Sequence, residues 1–367
     1  MIKTELSNLI SKYHIKNFLK FLVFLGIGVV IMYFVYDKQS EAYKQECILK
    51  GIADKDCSLI KKVYSDFIHS NLFYLFGVIF LFFLSNISRA IRWKMMLKPI
   101  GINTSLNTSF HSIMLGYFAN LGIPRIGEFV RAGALSRKEK VKFDKVMGTI
   151  VLDRLLDVIS LMLVFILTLM ISSKELINFV SNNSNLADKL HSLLTNPVIW
   201  GILVLGIIVI IFLFKNGKVK NSFIGVKIIN FIKGIVQGIK SIKSVEKPGW
   251  FIFHSIFIWL MYFTMNYVGF KAFLPTAQLG FKAAMTVFTF GSLGIVIPSP
   301  GGMGTYHFLV IEALKLFGIN GSDGFSYANI IFFSVQIIGI ILFGLLAMFS
   351  LNISTKKLAD ELQKQNI

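Results

Sequence analysis

The chain is poor in cysteine, in histidine and in recognisable catalytic motifs, and each shortage excludes a class of function. Its only two cysteines, Cys47 and Cys57, are too few for a cysteine-based zinc site, and no histidine lies near them at ligand spacing. Both fall in one polar loop. They close a disulfide if that loop faces an oxidising compartment; otherwise they are two unpaired thiols. The six histidines are scattered, so no metal site is expected. No phosphate-cradling Gly-rich loop, His-Glu-x-x-His helix or Gly-x-Ser-x-Gly elbow occurs. Asp54 and Asp56 echo a metal-binding Asp-x-Asp, but in a loop of alternating charge that spacing arises by chance. The expectation is a protein without cofactor that is not an enzyme.

Acidic residues are also scarce, 19 against 38 lysines and arginines, for a net charge of +19. In a soluble domain that excess would point to nucleic acid. Here 54% of residues are hydrophobic, 36 of them phenylalanine, with a mean hydropathy of +0.68. Apolar runs long enough to cross roughly 30 Å of hydrocarbon recur along the chain. The basic residues collect in alternate connections, the pattern that orients spans with positive charge inside. The reading is an all-α, polytopic helical membrane protein of the cell membrane (a bacterial inner or plasma membrane), with membrane lipids rather than nucleic acid as partners.

The walk along the chain gives about six full spans plus two re-entrant helical hairpins, with the N and C termini cytoplasmic. The first span, 18–36, follows Lys3, Lys12, Lys16 and Lys20 and is too long for a cleaved signal peptide. An outer loop, 37–66, carries both cysteines. The second span, 67–91, returns to the basic stretch SRAIRWKMMLK. Residues 104–140 are basic at both ends and broken by Gly122 and Pro124 in a middle too short to span twice. They read as a cytoplasm-entered hairpin. Spans follow at 146–171 and 197–214. The 215–248 segment holds eight lysines against Glu246 alone. Of these, Lys233, Lys240, Lys243 and Lys247 fall within roughly 80° at helical spacing, as on an amphipathic cytoplasmic segment. After a span at 249–272, residues 276–326 break at Pro298, Pro300, Gly301, Gly302 and Gly304, where no helix can continue. They read as a second, outside-entered hairpin before a last span at 327–350. Broken helices at corresponding points of two oppositely oriented halves point to a transport site near the midplane.

Charges in such a setting are rare and pair or line a polar path. Arg125, Glu128 and Arg131 recur every three residues, so on a helix starting at Pro124 neighbours can pair. Asp153 and Asp157 share a face of the next span, with Arg154 between them. Arg89 and Arg92 close the second span beside Trp93. If the three sets converge, they form a cationic and largely neutralised pocket toward the cytoplasmic leaflet.

The stretches GIPRIGEFVRAGAL, VLDRLLDVISL and PSPGGMGTYH, in this order, resemble the lysylphosphatidylglycerol synthase transmembrane, or flippase-like, family. The resemblance covers nearly the whole chain and includes Pro124, Gly127, Glu128 and Arg131. It implies a membrane domain that handles lipid head groups. The family's acidic-Arg-x-x-Asp element maps to Asp153, Arg154 and Asp157. This chain has Asp153 where members often carry Glu, and His307 where many carry Glu after the glycine-rich turn, with Glu312 five residues on. No aminoacyl-transfer domain is expected after residue 350. The function expected is a flippase-like transporter of anionic or zwitterionic phospholipid or of polyprenyl phosphate. In that role Arg125, Arg131 and Arg154 would grip phosphate. The alternative is a non-catalytic or glycosyltransferase-related partner in envelope assembly, with homo-oligomers or an envelope-synthesis protein as partners.

Overall fold

The computed structural model describes residues 2–53, 57–123, 125–175, 245–297 and 299–351, with single positions at 177, 197, 201 and 205. Among these, every regular element is helical. Helix α1 spans Ile2–Leu49, α2 Leu59–Ile68, α3 Leu72–Leu97, α4 Leu106–Gly122, α5 Gly127–Glu139 and α6 Phe143–Ile171. Helix α7 is Pro248–Ala272, α8 Phe281–Val296, α9 Thr305–Lys315 and α10 Gly321–Phe332. A π-helical segment, Phe333–Gly339, continues α10 into a last helical stretch.

Short polar side chains set the helix starts, because the first backbone N–H groups have no partner within the helix. Asn71 accepts from Phe73 N at 3.1 Å, Ser105 from Thr108 N at 3.0 Å and Asn320 from Asp323 N at 2.8 Å. Pro248 opens α7 at a position where its missing N–H costs nothing. These caps move some expected boundaries. The Asn71 cap starts α3 five residues after the expected 67. Helix α1 runs on to Leu49, so the expected 37–66 loop shrinks to 50–58 between two helices.

Among the described residues, four helices are long and apolar enough to cross a membrane: Leu72–Ile100, Phe143–Ile171, Pro248–Ala272 and Gly321–Leu351. They overlay the expected second, third, fifth and sixth spans. The expected 197–214 span, the basic 215–248 segment and the tail beyond 351 lie outside the described residues. Helix α6 turns much of its apolar surface outward, with Met162 60% and Met170 72% exposed. In water such a helix could not persist, whereas lipid tails are as apolar as its side chains.

Two helical pairs interrupt this set of long helices. Helices α4 and α5 fold back on each other across the short turn at 123–126, and α8 and α9 do so across 297–304. At 17, 13, 16 and 11 residues, their arms rise about 17–26 Å, short of the roughly 30 Å hydrocarbon core. The first pair is drawn together by facing glycines. A Cβ on Gly116 would lie 2.7 Å from the Gly127 carbonyl oxygen, and Gly127 N donates to Asn120 Oδ1 at 2.7 Å. In the second turn Gly301, Gly302 and Gly304 have φ of 58°, 84° and 80°, a region costly for other residues. The two turns meet: a side chain built on Gly301 would touch Leu121 of α4 at 3.7 Å.

Away from these turns in the chain, Cys47 and Cys57 form a disulfide that ties α1 to the start of α2. Around it Lys62 bridges Asp66 at 2.6 Å and Asp323 at 2.7 Å. Glu46 accepts from Ser322 at 3.0 Å, and Ser326 donates to Asp66 at 2.6 Å. Helices α1, α2 and α10 are thus held by one polar clasp.

Gly116→Leu should force α4 and α5 apart and destabilise the protein by about 1–3 kcal/mol. Gly133→Leu, on α5 where a Cβ meets nothing within 4 Å, should be close to neutral. Thermal unfolding of the two variants in detergent separates these outcomes; equal midpoints would mean the glycine contact does not hold the pair.

Candidate functional site

The close approach at Gly116 also positions the charged side chains, because it presses the Arg131 Cβ toward α4 (3.1 Å from a Cβ built on Gly116). Arg131 then points to α6. Its Nη1 donates to Asp153 Oδ2 at 2.8 Å, and its guanidinium lies 3.8 Å from the centre of the Trp93 ring. That ring is fixed in turn, since Trp93 Nε1 donates to Thr149 Oγ1 at 2.9 Å. Cation–π stacking orients a guanidinium while leaving its edge free for carboxylates.

Helix α3 supplies two more arginines at i, i+3, which share a face. Arg89 Nη1 donates to Asp157 Oδ2 at 2.7 Å and to Asp153 Oδ2 at 3.3 Å, and Nη2 reaches the Tyr262 hydroxyl of α7 at 3.4 Å. Arg92 Nη2 donates to Asp153 Oδ1 at 2.5 Å and to Asp157 Oδ1 at 2.9 Å. Asp153, with no exposed side-chain surface, therefore receives three guanidiniums from two helices. One cluster joins α3, α5, α6 and α7.

The remaining pair is different in kind. Arg154 Nε lies 3.1 Å from Glu128 Oε1, and Arg154 Nη1 lies 3.6 Å from Asp157 Oδ2. The first is an ion pair by distance but not by direction, since Arg154 Nε makes no hydrogen bond. The Arg154 side chain is 39% exposed, against 3% or less for Arg89, Arg92 and Arg131. Four guanidiniums face three carboxylates, so the cluster carries one positive charge in excess. Arg92 Nε and Nη1, Arg89 Nε, and Arg131 Nε and Nη2 are buried without a hydrogen-bond partner. Chemically the cluster is a store of unspent N–H donors with a surplus cation, and Arg154 forms its accessible edge.

Three expectations change. Helix α5 starts at Gly127, not at Pro124, because the chain at Arg125 adopts φ 64°. Arg125 is therefore off the helix, exposed and apart from the cluster. The expected pairing of Glu128 with its helix neighbours does not form either: Glu128 turns to Arg154 and Arg131 to Asp153, both on α6. Pro124 and Pro298 lie outside the described residues, as do Asp54 and Asp56. Pro300 opens the short 3-10 turn that holds Gly301. His307 is buried on α9 against Phe332, ring centres 4.7 Å apart, and Glu312 pairs with Lys315 at 2.8 Å; neither joins the arginines. Sequence reading missed Tyr262, which sits in an apolar span rich in aromatics and gives no signal of its own. It missed the α1–α2–α10 clasp too, although Lys62 and Asp66 at i, i+4 were a signal.

A membrane-embedded, all-helical protein with an arginine-rich cluster knitting its helices is the class these features define. The chain belongs to the family described as the lysylphosphatidylglycerol synthase TM region, whose model matches residues 58–344. It is similar to the UPF0104 membrane protein MJ1078 of Methanocaldococcus jannaschii, 24% identical over 243 residues, covering 62% of this chain and 93% of that one. No solved structure matches.

Removing the carboxylate at the centre should be far worse than removing the charge at the edge. Asp153→Ala leaves three buried guanidiniums short of a partner, a loss of about 3–5 kcal/mol. Arg154→Ala, at a half-exposed and loosely bonded position, should cost no more than about 1 kcal/mol. Thermal midpoints in detergent check both, and an Asp153→Ala midpoint equal to the parent's would remove the cluster from the fold's support.

Proposed function

We propose that this protein is a flippase-like transporter that accepts the phosphate-bearing head group of a membrane lipid at the Arg154 edge of the cluster. The observation that carries the reading is the division of labour among the arginines. Arg89, Arg92 and Arg131 are fastened to Asp153 and Asp157, whereas Arg154 is half-exposed and held by a poorly directed pair with Glu128. An incoming phosphate can displace Glu128 from Arg154, and charge-assisted bonds to phosphate are among the stronger hydrogen bonds available. The buried excess charge and spare N–H donors add attraction for an anion without needing to move.

The topology proposed with it has both termini and residues 215–248 cytoplasmic and six spans in all. One hairpin, α4–α5, enters from the cytoplasm, and the other, α8–α9, enters from outside. Paired half-helices meeting within the bilayer suit a path for polar groups, because irregular backbone there is tolerated only against protein or a watery cavity. The Cys47–Cys57 disulfide accords with an oxidising outer side. The membrane is the cell membrane, and the protein acts as a transporter rather than an enzyme.

The test is transbilayer movement of phosphatidylglycerol, phosphatidylethanolamine and a polyprenyl phosphate, each fluorescent on its apolar chain, in vesicles with and without the protein. Arg154→Ala should slow movement of the accepted lipid at least about tenfold, and Arg154→Lys should restore part of it, since an ammonium cannot grip two phosphate oxygens in parallel. If no lipid of the panel moves faster than in empty vesicles, the reading fails. For the topology, a membrane-impermeant thiol reagent applied to intact cells after reduction should label Cys47 and Cys57. Labelling only after lysis would reverse the orientation.

A further inference from the structure

The last apolar span, Gly321–Leu351, has Gln336 at its centre, fifteen residues from either end. Polar side chains so placed usually return their hydrogen bonds to their own helix. Asn329 Nδ2 donates to Phe325 O at 2.8 Å and Ser334 Oγ to Ile330 O at 2.8 Å. Gln336 does not: its side-chain amide has no hydrogen bond among the described residues, and it is half-buried rather than sealed. An unpaired amide in hydrocarbon costs several kcal/mol, so a position that keeps one demands a reason.

Two further features surround it. Gln336 lies in the middle of the π-helical segment Phe333–Gly339, and wide turns of this kind re-aim side chains and gather at functional sites. Here the turn aims the amide at the meeting point of the two hairpins. A side chain built on Gly301, the residue at φ 58° in the second turn, would meet Gln336 Oε1 at 3.8 Å, Phe332 at 3.7 Å and Leu121 of the first hairpin at 3.7 Å. The absent Cβ at Gly301 leaves the space in front of the amide open.

We infer that Gln336 is a polar contact for the travelling head group at the bilayer midplane, where the α4–α5 and α8–α9 turns converge. A carboxamide donates to phosphate or ester oxygen and accepts from hydroxyl or ammonium, so it serves a polar head group without adding charge at the most apolar depth. Its residues, on the last span and the two turns, are not those of the Arg154 cluster. It rests on the proposed lipid transport for its ligand but not for its accessibility.

The experiment uses two variants of the full-length protein in vesicles. Both native cysteines are engaged in the disulfide, so Gln336→Cys carries one free thiol. That thiol should react with a small, charged methanethiosulfonate reagent in the folded protein. Gln336→Met keeps the length and removes hydrogen bonding. It should leave the thermal midpoint near the parent's, because the amide makes no hydrogen bond within the fold to lose, yet slow movement of the accepted lipid about tenfold, the worth of one hydrogen bond to a charged group. A Gln336→Cys thiol that reacts only after denaturation in dodecyl sulfate would overturn the inference. So would Gln336→Met at the parent's rate while Arg154→Ala is slowed, which leaves the transport reading intact. If the parent itself moves no lipid, that reading fails, and the thiol labelling alone decides whether the midplane amide faces a water-accessible path.

Discussion

The carboxylate of Asp153 is the constraint on which the site end of the molecule depends. It has no exposed side-chain surface and three guanidiniums aimed at it, from Arg89 and Arg92 on α3 and Arg131 on α5. Each of these charges alone would be expelled from the interior of a membrane protein. Together they are tolerable, and only in one relative placement of α3, α5 and α6. A hydrophobic interface between helices in lipid has little power to choose a register, since lipid tails compete on equal terms with side chains. A buried ion cluster does choose, because any slip of a turn leaves an arginine or an aspartate unpaired at a cost of several kcal/mol. The short α4–α5 hairpin is fixed in place by the same device, through Arg131 and the Gly116–Gly127 approach behind it.

That division explains why a chain would hold more arginine than its carboxylates can satisfy. Arg89, Arg92 and Arg131 act on the fold, and their stacked or shared bonds leave little freedom to move toward a ligand. Arg154 sits beside them at the edge, next to Glu128, with the field of the whole cluster behind it. A carboxylate as the resting partner has a clear consequence. It keeps Arg154 in place when no anion is bound, and it sets a threshold, since an incoming group must compete with Glu128. On the proposed transport reading, that competition would keep affinity moderate, so that the head group can be released.

Much of this was legible in the chain itself. Four apolar spans, two helical pairs broken at Pro and Gly, and the charged residues of α3 and α6 follow from apolar run length, Pro and Gly breaks and the rarity of charge in such runs. Errors came where local geometry outranked pattern. Helical spacing makes Arg125, Glu128 and Arg131 neighbours, but it cannot show that the chain turns to φ 64° at Arg125. Nor can it show that Glu128 and Arg131 find better partners across the interface than along the helix. The same limit hid Tyr262, an aromatic among aromatics. Boundaries shifted for a simpler reason: Asn71 and Ser105 cap helices by single hydrogen bonds, and such residues occur at many positions where they cap nothing.

The family match leaves α1 out, beginning at residue 58, and the structure gives that limit a physical sense. Helix α1 is held near its C-terminal end by the disulfide to Cys57 and by Glu46 bonding to Ser322. Further along, its Ile31 and Met32 lie against Gly304 of the second hairpin's turn, so closely that a Cβ there would fall 2.8 Å from Ile31. The turn needs positive φ at Gly304 for its bend and the missing Cβ for this contact. An element outside the matched region thus rests on the backbone break where the two hairpins meet. The disulfide closes a loop of few residues, which gives it modest leverage over the unfolded chain, but it sits where α1 would otherwise fray from α2. Its weight is therefore local: it keeps α1 seated against the turn at Gly304.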